Sequence, residues 1–270
     1  MPATLFILNH WKKQHAVFLQ NLEGLRKQDK ENTIDMVHDL RVATKKLRSY
    51  LKLLTILLDK KDYTSLFEKT EQLFSVLGKH RDIEMGLALL QAFEKGNKSE
   101  YITINNHLKK VYQQTWTWVQ NALENYDEKD LAELSRQIEE DLKNKEKEEL
   151  LQKIRDIVDK ELNKAKRFAD HLSRQAHLVR KHFKDIFYWA SLLPRDILEP
   201  DQLKSIKKSL EQLGDWQDHE MLQRKVKHFR KDFVPDAREE HPLLKDLEKT
   251  IADKKEKILD KAGENIQKAF

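Results

Sequence analysis

The chain contains 270 residues, of which 36% are charged and 39% are hydrophobic, and it carries a formal net charge of +5. It has no cysteine, which excludes disulfides, thiolate zinc sites and cysteine nucleophiles and fits a reducing cytoplasm. No apolar run approaches the roughly 18 residues that span a bilayer, and residues 1–5 do not resemble a secretory signal, so we expect a cytoplasmic protein without membrane contact.

Helix-forming residues dominate the sequence, and hydrophobic residues recur at helical spacing along most of it, which predicts an all-α fold. Gly78 and Gly214 are expected to end helices, because glycine readily adopts the left-handed conformation found after a helix C-terminus. A further break is expected near Asn144. The predicted helices, in chain order, are 4–28, 33–59, 62–77, 82–95, 99–125, 129–170, 173–193, 200–213, 216–231 and 241–268.

Two short motifs each occur twice, in the same order and at nearly the same separation. The first has the spacing His-x2-Arg-x3-Lys and the second has the spacing Leu-Gly-x3-Asp. The copies are His38, Arg41 and Lys45 with Leu77, Gly78 and Asp82, and then His177, Arg180 and Lys184 with Leu213, Gly214 and Asp218.

This recurrence predicts an internal duplication within a single domain spanning residues 1–270. The N-terminal helical repeat covers 1–128 and the C-terminal repeat covers 146–270. An acidic linker region, 129–145, joins them. Two such copies would most simply pack about a pseudo-two-fold axis.

The first motif places positive charge on one side of a helix. At 100° per residue, five side chains from 38 to 52 fall within an arc of about 80°, and leucines and an alanine fall on the opposite, core-facing side. Cations at this spacing repel one another, so the face requires acidic neighbours or a bound anion. A solvated face or a structural ion-pair network is the alternative interpretation. The stripe consists of His38, Arg41, Lys45, Arg48 and Lys52.

The second copy is less charged and more aromatic. His177, Arg180 and Lys184 again share a face, but Phe187 stands at the position equivalent to Arg48. Asp82 and Asp218 are each expected to N-cap the next helix, and they could also orient a motif arginine.

Metal binding and catalysis are not indicated. Each motif histidine lies among Arg and Lys residues, which disfavour a cation, and the sequence lacks a glycine-rich phosphate loop or a nucleophile–base–acid order. We therefore expect no metal, no cofactor and no enzyme activity.

The same motif residues resemble a known family, the CHAD domain (conserved histidine α-helical domain). Residues 37–48 (VHDLRVATKKLR) resemble its opening signature and residues 77–82 (LGKHRD) resemble its second, while the second-half counterparts match more loosely. The resemblance spans essentially the whole chain. Phe187 departs from the basic residue usual in the family.

The resemblance implies two pseudo-symmetric four-helix-type bundles whose basic helices line a central groove or pore that binds inorganic polyphosphate, and it implies association with polyphosphate granules. A row of Arg and Lys at helical spacing is chemically suited to a phosphate chain. Tyr188 would add a hydroxyl donor, and Lys207 and Lys208 from an adjacent helix would add charge. The expected ligands are His38, Arg41, Lys45, Arg48, Lys52, Arg81, His177, Arg180, Lys184, Tyr188, Lys207 and Lys208.

Composition and spacing by themselves support only a polyanion as the ligand. The first alternative is an electrostatic nucleic-acid binder that uses the same positive face. The second is a helical protein-interaction scaffold in which the basic faces form internal ion pairs, and a metal-dependent enzyme ranks last. The sequence names no protein partner.

Overall fold

The computed structural model describes residues 3–27, 33–59, 63–94, 101–190, 192 and 198–270. Within these ranges the regular structure is entirely helical, which confirms the predicted all-α fold. The helices are α1 (Ala3–Arg26), α2 (Thr33–Leu58), α3 (Tyr63–Phe93), α4 (Ile102–Glu124), α5 (Lys129–Leu142), α6 (Lys147–Ala169), α7 (Leu172–Ala190), α8 (Pro200–Phe233) and α9 (Glu240–Gln267).

Two predicted helix ends are wrong. Helix α3 is continuous from Tyr63 to Phe93, and α8 is continuous from Pro200 to Phe233, so Gly78 and Gly214 each lie inside a long helix. The predicted pairs 62–77 with 82–95 and 200–213 with 216–231 are therefore single helices. Glycine weakens a helix interior by only about 1 kcal/mol, which the packing of a long helix offsets.

Because the two helices continue, the predicted capping role of Asp82 and Asp218 is also wrong. Both residues lie in helix interiors, one turn after their glycines, where no helix begins. A third expectation is confirmed. The predicted 129–170 helix breaks near Asn144, since α5 ends at Leu142 and α6 begins at Lys147.

The chain forms two compact units, and each draws segments from both predicted repeats. Unit 1 comprises Met1–Gly78, Thr117–Lys164 and His182–Pro200, and unit 2 comprises Lys79–Trp116, Ala165–Lys181 and Asp201–Phe270. The unit boundaries fall inside α3, α4, α6 and α7. The repeat boundaries stay a prediction, because compactness does not test sequence duplication.

Unit 1 is built around buried aromatic and leucine side chains. Trp11 and Phe18 of α1 are fully buried, and Leu40, Leu47 and Leu54 form the buried stripe of α2. The indole N–H of Trp11 donates to Ser135 Oγ on α5 at 2.9 Å. This packing buries the leucine side of α2, which directs its basic side away from the core.

Unit 2 has its own hydrophobic core. Side chains of α3, α4, α8 and α9 form one cluster, in which Leu90, Ile104, Leu222, Leu244 and Ile251 are almost completely buried. No helix in the described part of the chain combines the length and apolar character needed to cross a membrane.

Candidate functional site

The basic stripe of α2 lies in unit 1, and its five side chains differ in exposure. His38 is exposed, whereas the other four, Arg41 among them, are half-buried. The opposite side of the helix buries Leu40, Ala43 and Leu47. The structure therefore confirms the predicted division of α2 into a core side and a basic side.

Arg41 contacts α3 at two residues, Phe74 and Gly78. Its Nη1 donates to the Phe74 carbonyl oxygen at 3.0 Å, and its guanidinium lies 4.4 Å from the centre of the Phe74 ring. A Cβ on Gly78 would lie 2.7 Å from that same Nη1. Gly78 therefore provides the space that the Arg41 guanidinium occupies, which is a reason for glycine inside a helix.

Arg48 also contacts α3, but its main partner is acidic. Its Nε and Nη2 donate to the two carboxylate oxygens of Glu71 in a bidentate pair. The guanidinium lies 4.2 Å from the centre of the Phe74 ring. Both side chains of the pair are about 40% exposed, so the pair contributes modestly to stability.

Lys52 belongs to a second ion-pair network, formed with α6 and α7. Its Nζ lies 2.7 Å from Asp185 Oδ2 and 3.3 Å from Glu161 Oε2, and 5.1 Å from the centre of the Trp189 ring. Ser49 of α2 donates to Asp185 Oδ1 at 2.9 Å. These contacts attach the C-terminal half of α2 to α7 within unit 1.

Glu161 is the most buried member of this network, with 5% of its side chain exposed. Burial alone would raise its pKa, but hydrogen bonds from His182 and Lys164 and the charge of Lys52 hold the pKa well below its usual value. Glu161 is therefore a buried carboxylate that stays ionised because three basic groups surround it.

The second copy of the His-x2-Arg-x3-Lys motif is divided between the two units. Lys184 and Tyr188 lie in the part of α7 that belongs to unit 1, and both are half-buried. The Phe187 and Tyr188 rings are 6.2 Å apart. His177 and Arg180 lie in unit 2, where His177 is exposed and follows a kink in α7 at Gln175.

In unit 2, Arg180 repeats the arginine–glycine arrangement in a looser form. A Cβ on Gly214 would lie 3.9 Å from Arg180 Nη2, an ordinary van der Waals contact. Burial raises the pKa of Asp218, the charge of Arg180 lowers it, and the negative charge of Asp82 raises it again. The charges of Arg180 and Asp82 thus act on Asp218 in opposite directions, and the orienting role of Asp218 stays a prediction.

The other expected ligands in unit 2 have different surroundings. Arg81 pairs with Glu84 one turn along α3, and 21% of its side chain is exposed. Lys207 and Lys208 are exposed on α8. Among the described residues, no group of three or more His, Asp and Glu side chains is arranged to hold a metal ion.

The sequence analysis missed the acidic partners of the α2 stripe. Glu71 pairs with Arg48 from the next helix, and Glu161 and Asp185 pair with Lys52 from helices that are distant in sequence. One signal pointed to Glu71. If α3 is taken as continuous, Glu71, Phe74 and Gly78 follow one another at helical i,i+3 and i,i+4 spacing and share a face.

Comparison with known proteins identifies the family and the fold. The family model of the CHAD domain matches residues 10–227. The crystal structure of the CHAD domain from the plant Ricinus communis superposes with a TM-score of 0.74 at 17% sequence identity, covering 99% of this chain and 92% of that one. No curated protein matches the chain. The family match covers well over half of the sequence and includes both copies of both motifs, and on that basis the chain belongs to the CHAD domain family.

Proposed function

We propose that this CHAD domain binds inorganic polyphosphate without catalysing a reaction, and that it does so in the cytoplasm, where it would contact polyphosphate granules. The observation that carries the proposal is the basic side of α2, where Arg41 is held in place by Phe74 and Gly78. Membership of the CHAD family supports polyphosphate as the ligand.

The chemistry of α2 suits a flexible chain of phosphates. Successive basic side chains at i,i+3 and i,i+4 lie about 5–6 Å apart at Cβ, so neighbouring phosphates can contact neighbouring side chains. Arg41 offers a planar fork for phosphate oxygens and Lys45 a point charge. His38, which is exposed, contributes more when protonated.

The proposal assigns phosphate contacts in unit 1 to the stripe as a whole. Arg48 and Lys52 contact carboxylates, so a polyanion would have to compete for them. The remaining contacts of the stripe are assigned to His38, Arg41 and Lys45. In unit 2 the proposal assigns contacts to His177, Arg180, Lys207 and Lys208, with Arg81 as a further contact. Lys184 and Tyr188 are further contacts in unit 1.

A scaffold role is the second candidate, because the network around Glu161 is the internal ion pairing that such a role predicts. In that case the basic residues would stabilise the fold without a ligand. A nucleic-acid binder would use the same exposed charges as the polyphosphate binder, but it would not discriminate against DNA.

The test is to measure the dissociation constant for long-chain polyphosphate at about 50 and 200 mM salt, where neutralised phosphates should cause a loss of tenfold or more. Lys45→Ala should weaken binding severalfold at low salt. Lys46→Ala is the matched control, because it removes the same charge one residue along, about 100° around the helix from Lys45.

Equal effects of the two substitutions would contradict a site on the α2 stripe. Single-stranded DNA at equal phosphate concentration serves as competitor. Full displacement by DNA would favour the nucleic-acid alternative, and absence of polyphosphate binding at low salt would refute the proposed function.

A further inference from the structure

Unit 1 contains a cavity of about 450 Å³ between the C-terminal half of α2 and the N-terminal half of α3. The apolar part of its wall comes from Leu51, Ile56 and Phe67. Small-molecule sites commonly have volumes of roughly 300–1,000 Å³ and apolar walls with a few polar groups. The cavity therefore has the size and the lining of a site for a small organic molecule.

The charged residues at this cavity are all paired with an opposite charge. Arg48 and Glu71 both line the cavity and form their bidentate pair with each other. Lys52, which also lines it, lies 2.7 Å from Asp185 and 3.3 Å from Glu161. A charged ligand would have to break one of these pairs, whereas an uncharged ligand would leave them intact. The charges at the cavity thus favour an uncharged occupant.

Two further features of the wall specify the ligand. The Arg48–Glu71 pair is bidentate and therefore planar, and an aromatic ring packs favourably on the plane of a guanidinium. Thr55 also lines the cavity, and its hydroxyl donates to the Leu51 carbonyl oxygen at 2.8 Å and retains lone pairs that accept a hydrogen bond. An aromatic ligand with an N–H or O–H group matches both features.

From the cavity, the paired charges around it and Thr55 we propose that unit 1 binds an uncharged aromatic molecule that carries an N–H or O–H donor. The ring would contact Phe67 and Ile56, and the donor would point to the Thr55 hydroxyl. Ile56 is 49% exposed, so its contact with a ring would remove apolar surface from water, which is favourable in proportion to area. This small-molecule site goes beyond the proposed polyphosphate function.

The experiment uses two fluorescent probes, phenylnaphthylamine and anilinonaphthalenesulfonate, which share one aromatic skeleton and its N–H group. They differ by the sulfonate, so the ratio of their dissociation constants measures the preference for an uncharged ligand. Titrating the protein into each probe should show micromolar binding of phenylnaphthylamine, about tenfold tighter than that of the sulfonate. Absence of phenylnaphthylamine binding, equal affinities or tighter binding of the sulfonate would overturn the inference.

Ile56→Ser tests whether the cavity holds the probe. Because Ile56 is partly exposed, its replacement should leave the fold intact and weaken phenylnaphthylamine binding severalfold. The matched control is Ile34→Ser, another isoleucine of α2 that is 51% exposed and does not line the cavity. The control should retain the wild-type affinity. An unchanged affinity in Ile56→Ser, or equal losses in both variants, would also overturn the inference.

Glu71→Gln tests the charge argument at the same cavity. The substitution leaves Arg48 without its carboxylate partner, so binding of the sulfonate should tighten severalfold relative to that of phenylnaphthylamine. Glu68→Gln makes the same change of charge one turn away on α3, outside the cavity, and should leave the ratio unchanged. An equal change of the ratio in both variants would assign the preference to net charge and contradict the proposed site.

The outcome for the inference is separable from that for the proposed function, because the probe titrations contain no polyphosphate. Binding of phenylnaphthylamine by a protein that does not bind polyphosphate would refute the proposed function alone. Binding of polyphosphate by a protein that does not bind phenylnaphthylamine would refute the small-molecule site alone.

Discussion

The Arg41 guanidinium lies directly over Gly78, so a methyl group on that residue would lie only 2.7 Å from Arg41 Nη1. It donates to the Phe74 carbonyl oxygen and stacks on the Phe74 ring. In the second arginine–glycine pair, a methyl group on Gly214 would lie 3.9 Å from Arg180 Nη2. The two glycines have the same place in the repeat but different amounts of free space.

Alanine substitutions should therefore have different effects at the two sites. Gly214→Ala should stabilise the protein by up to about 1 kcal/mol, because alanine favours a helix interior. Gly78→Ala should lack this gain, because its Cβ displaces Arg41 from its hydrogen bond and stacking contact, and it should also weaken polyphosphate binding. Denaturant unfolding and polyphosphate titration check both effects. Equal stabilisation with unchanged binding would show that Gly78 does not position Arg41.

Glu71 should act as an internal competitor for Arg48. Removing its charge in Glu71→Gln releases the bidentate pair and should increase polyphosphate affinity severalfold at about 50 mM salt. Glu68→Gln is the control, because Glu68 lies one turn away on α3, is exposed and accepts a hydrogen bond from Gln72. If both variants gain polyphosphate affinity equally, the gain is due to net charge and not to release of Arg48.

Glu161 should be important for stability. Glu161→Gln removes a buried carboxylate and leaves Lys52 and His182 without its charge, which should cost about 3 kcal/mol. On the same helix, Glu149 forms an exposed i,i+4 pair with Lys153, and Glu149→Gln should change stability by less than about 0.5 kcal/mol. Urea unfolding curves measure the difference, and similar small losses in both variants would contradict a structural role for the network.

His80 should make stability depend on pH. It is 1% exposed, with Nδ1 3.0 Å from Thr115 Oγ1, and burial, followed by the charge of Arg81, lowers its pKa from 6.5 to about 4. Above pH 6.5 it is neutral in both states. Between pH 6.5 and 4 the unfolded chain binds a proton that the folded protein does not, so stability falls as pH falls.

We expect the melting temperature to fall by roughly 5 °C between pH 7 and 5 on account of this residue. His80→Gln should show a shallower fall over this range. His171→Gln, which replaces an exposed histidine, should retain the wild-type slope. Parallel curves for His80→Gln and the wild type would show that His80 does not cause the dependence.

The helices and the basic side of α2 were predictable because both depend on local spacing. A 3.6-residue period specifies which side chains share a face, so Leu40 and Leu47 could be assigned to the core and Arg41 and Lys45 to the opposite side. The break near Asn144 followed from local sequence in the same way. Such features require no knowledge of the neighbouring helices.

The role of Gly78 was not predictable from its own surroundings. Glycine after a leucine near the end of a periodic stretch is typical of a helix C-terminus, and only the packed α2 shows that the missing side chain makes room for Arg41. The partners of Lys52 were similarly hidden, because Glu161 and Asp185 lie 109 and 133 residues away in sequence.

The contacts that hold the Arg41 side chain in one position affect the free energy of anion binding. A free arginine side chain samples many rotamers, and immobilising it costs up to roughly 2 kcal/mol of entropy. Folding restricts the rotamers of Arg41, because its guanidinium bonds to the Phe74 carbonyl oxygen, stacks on the Phe74 ring and occupies the space beside Gly78. Much of the ordering that a bound anion would otherwise impose on Arg41 has thus occurred on folding, so in the proposed function Arg41 would be a preorganised contact.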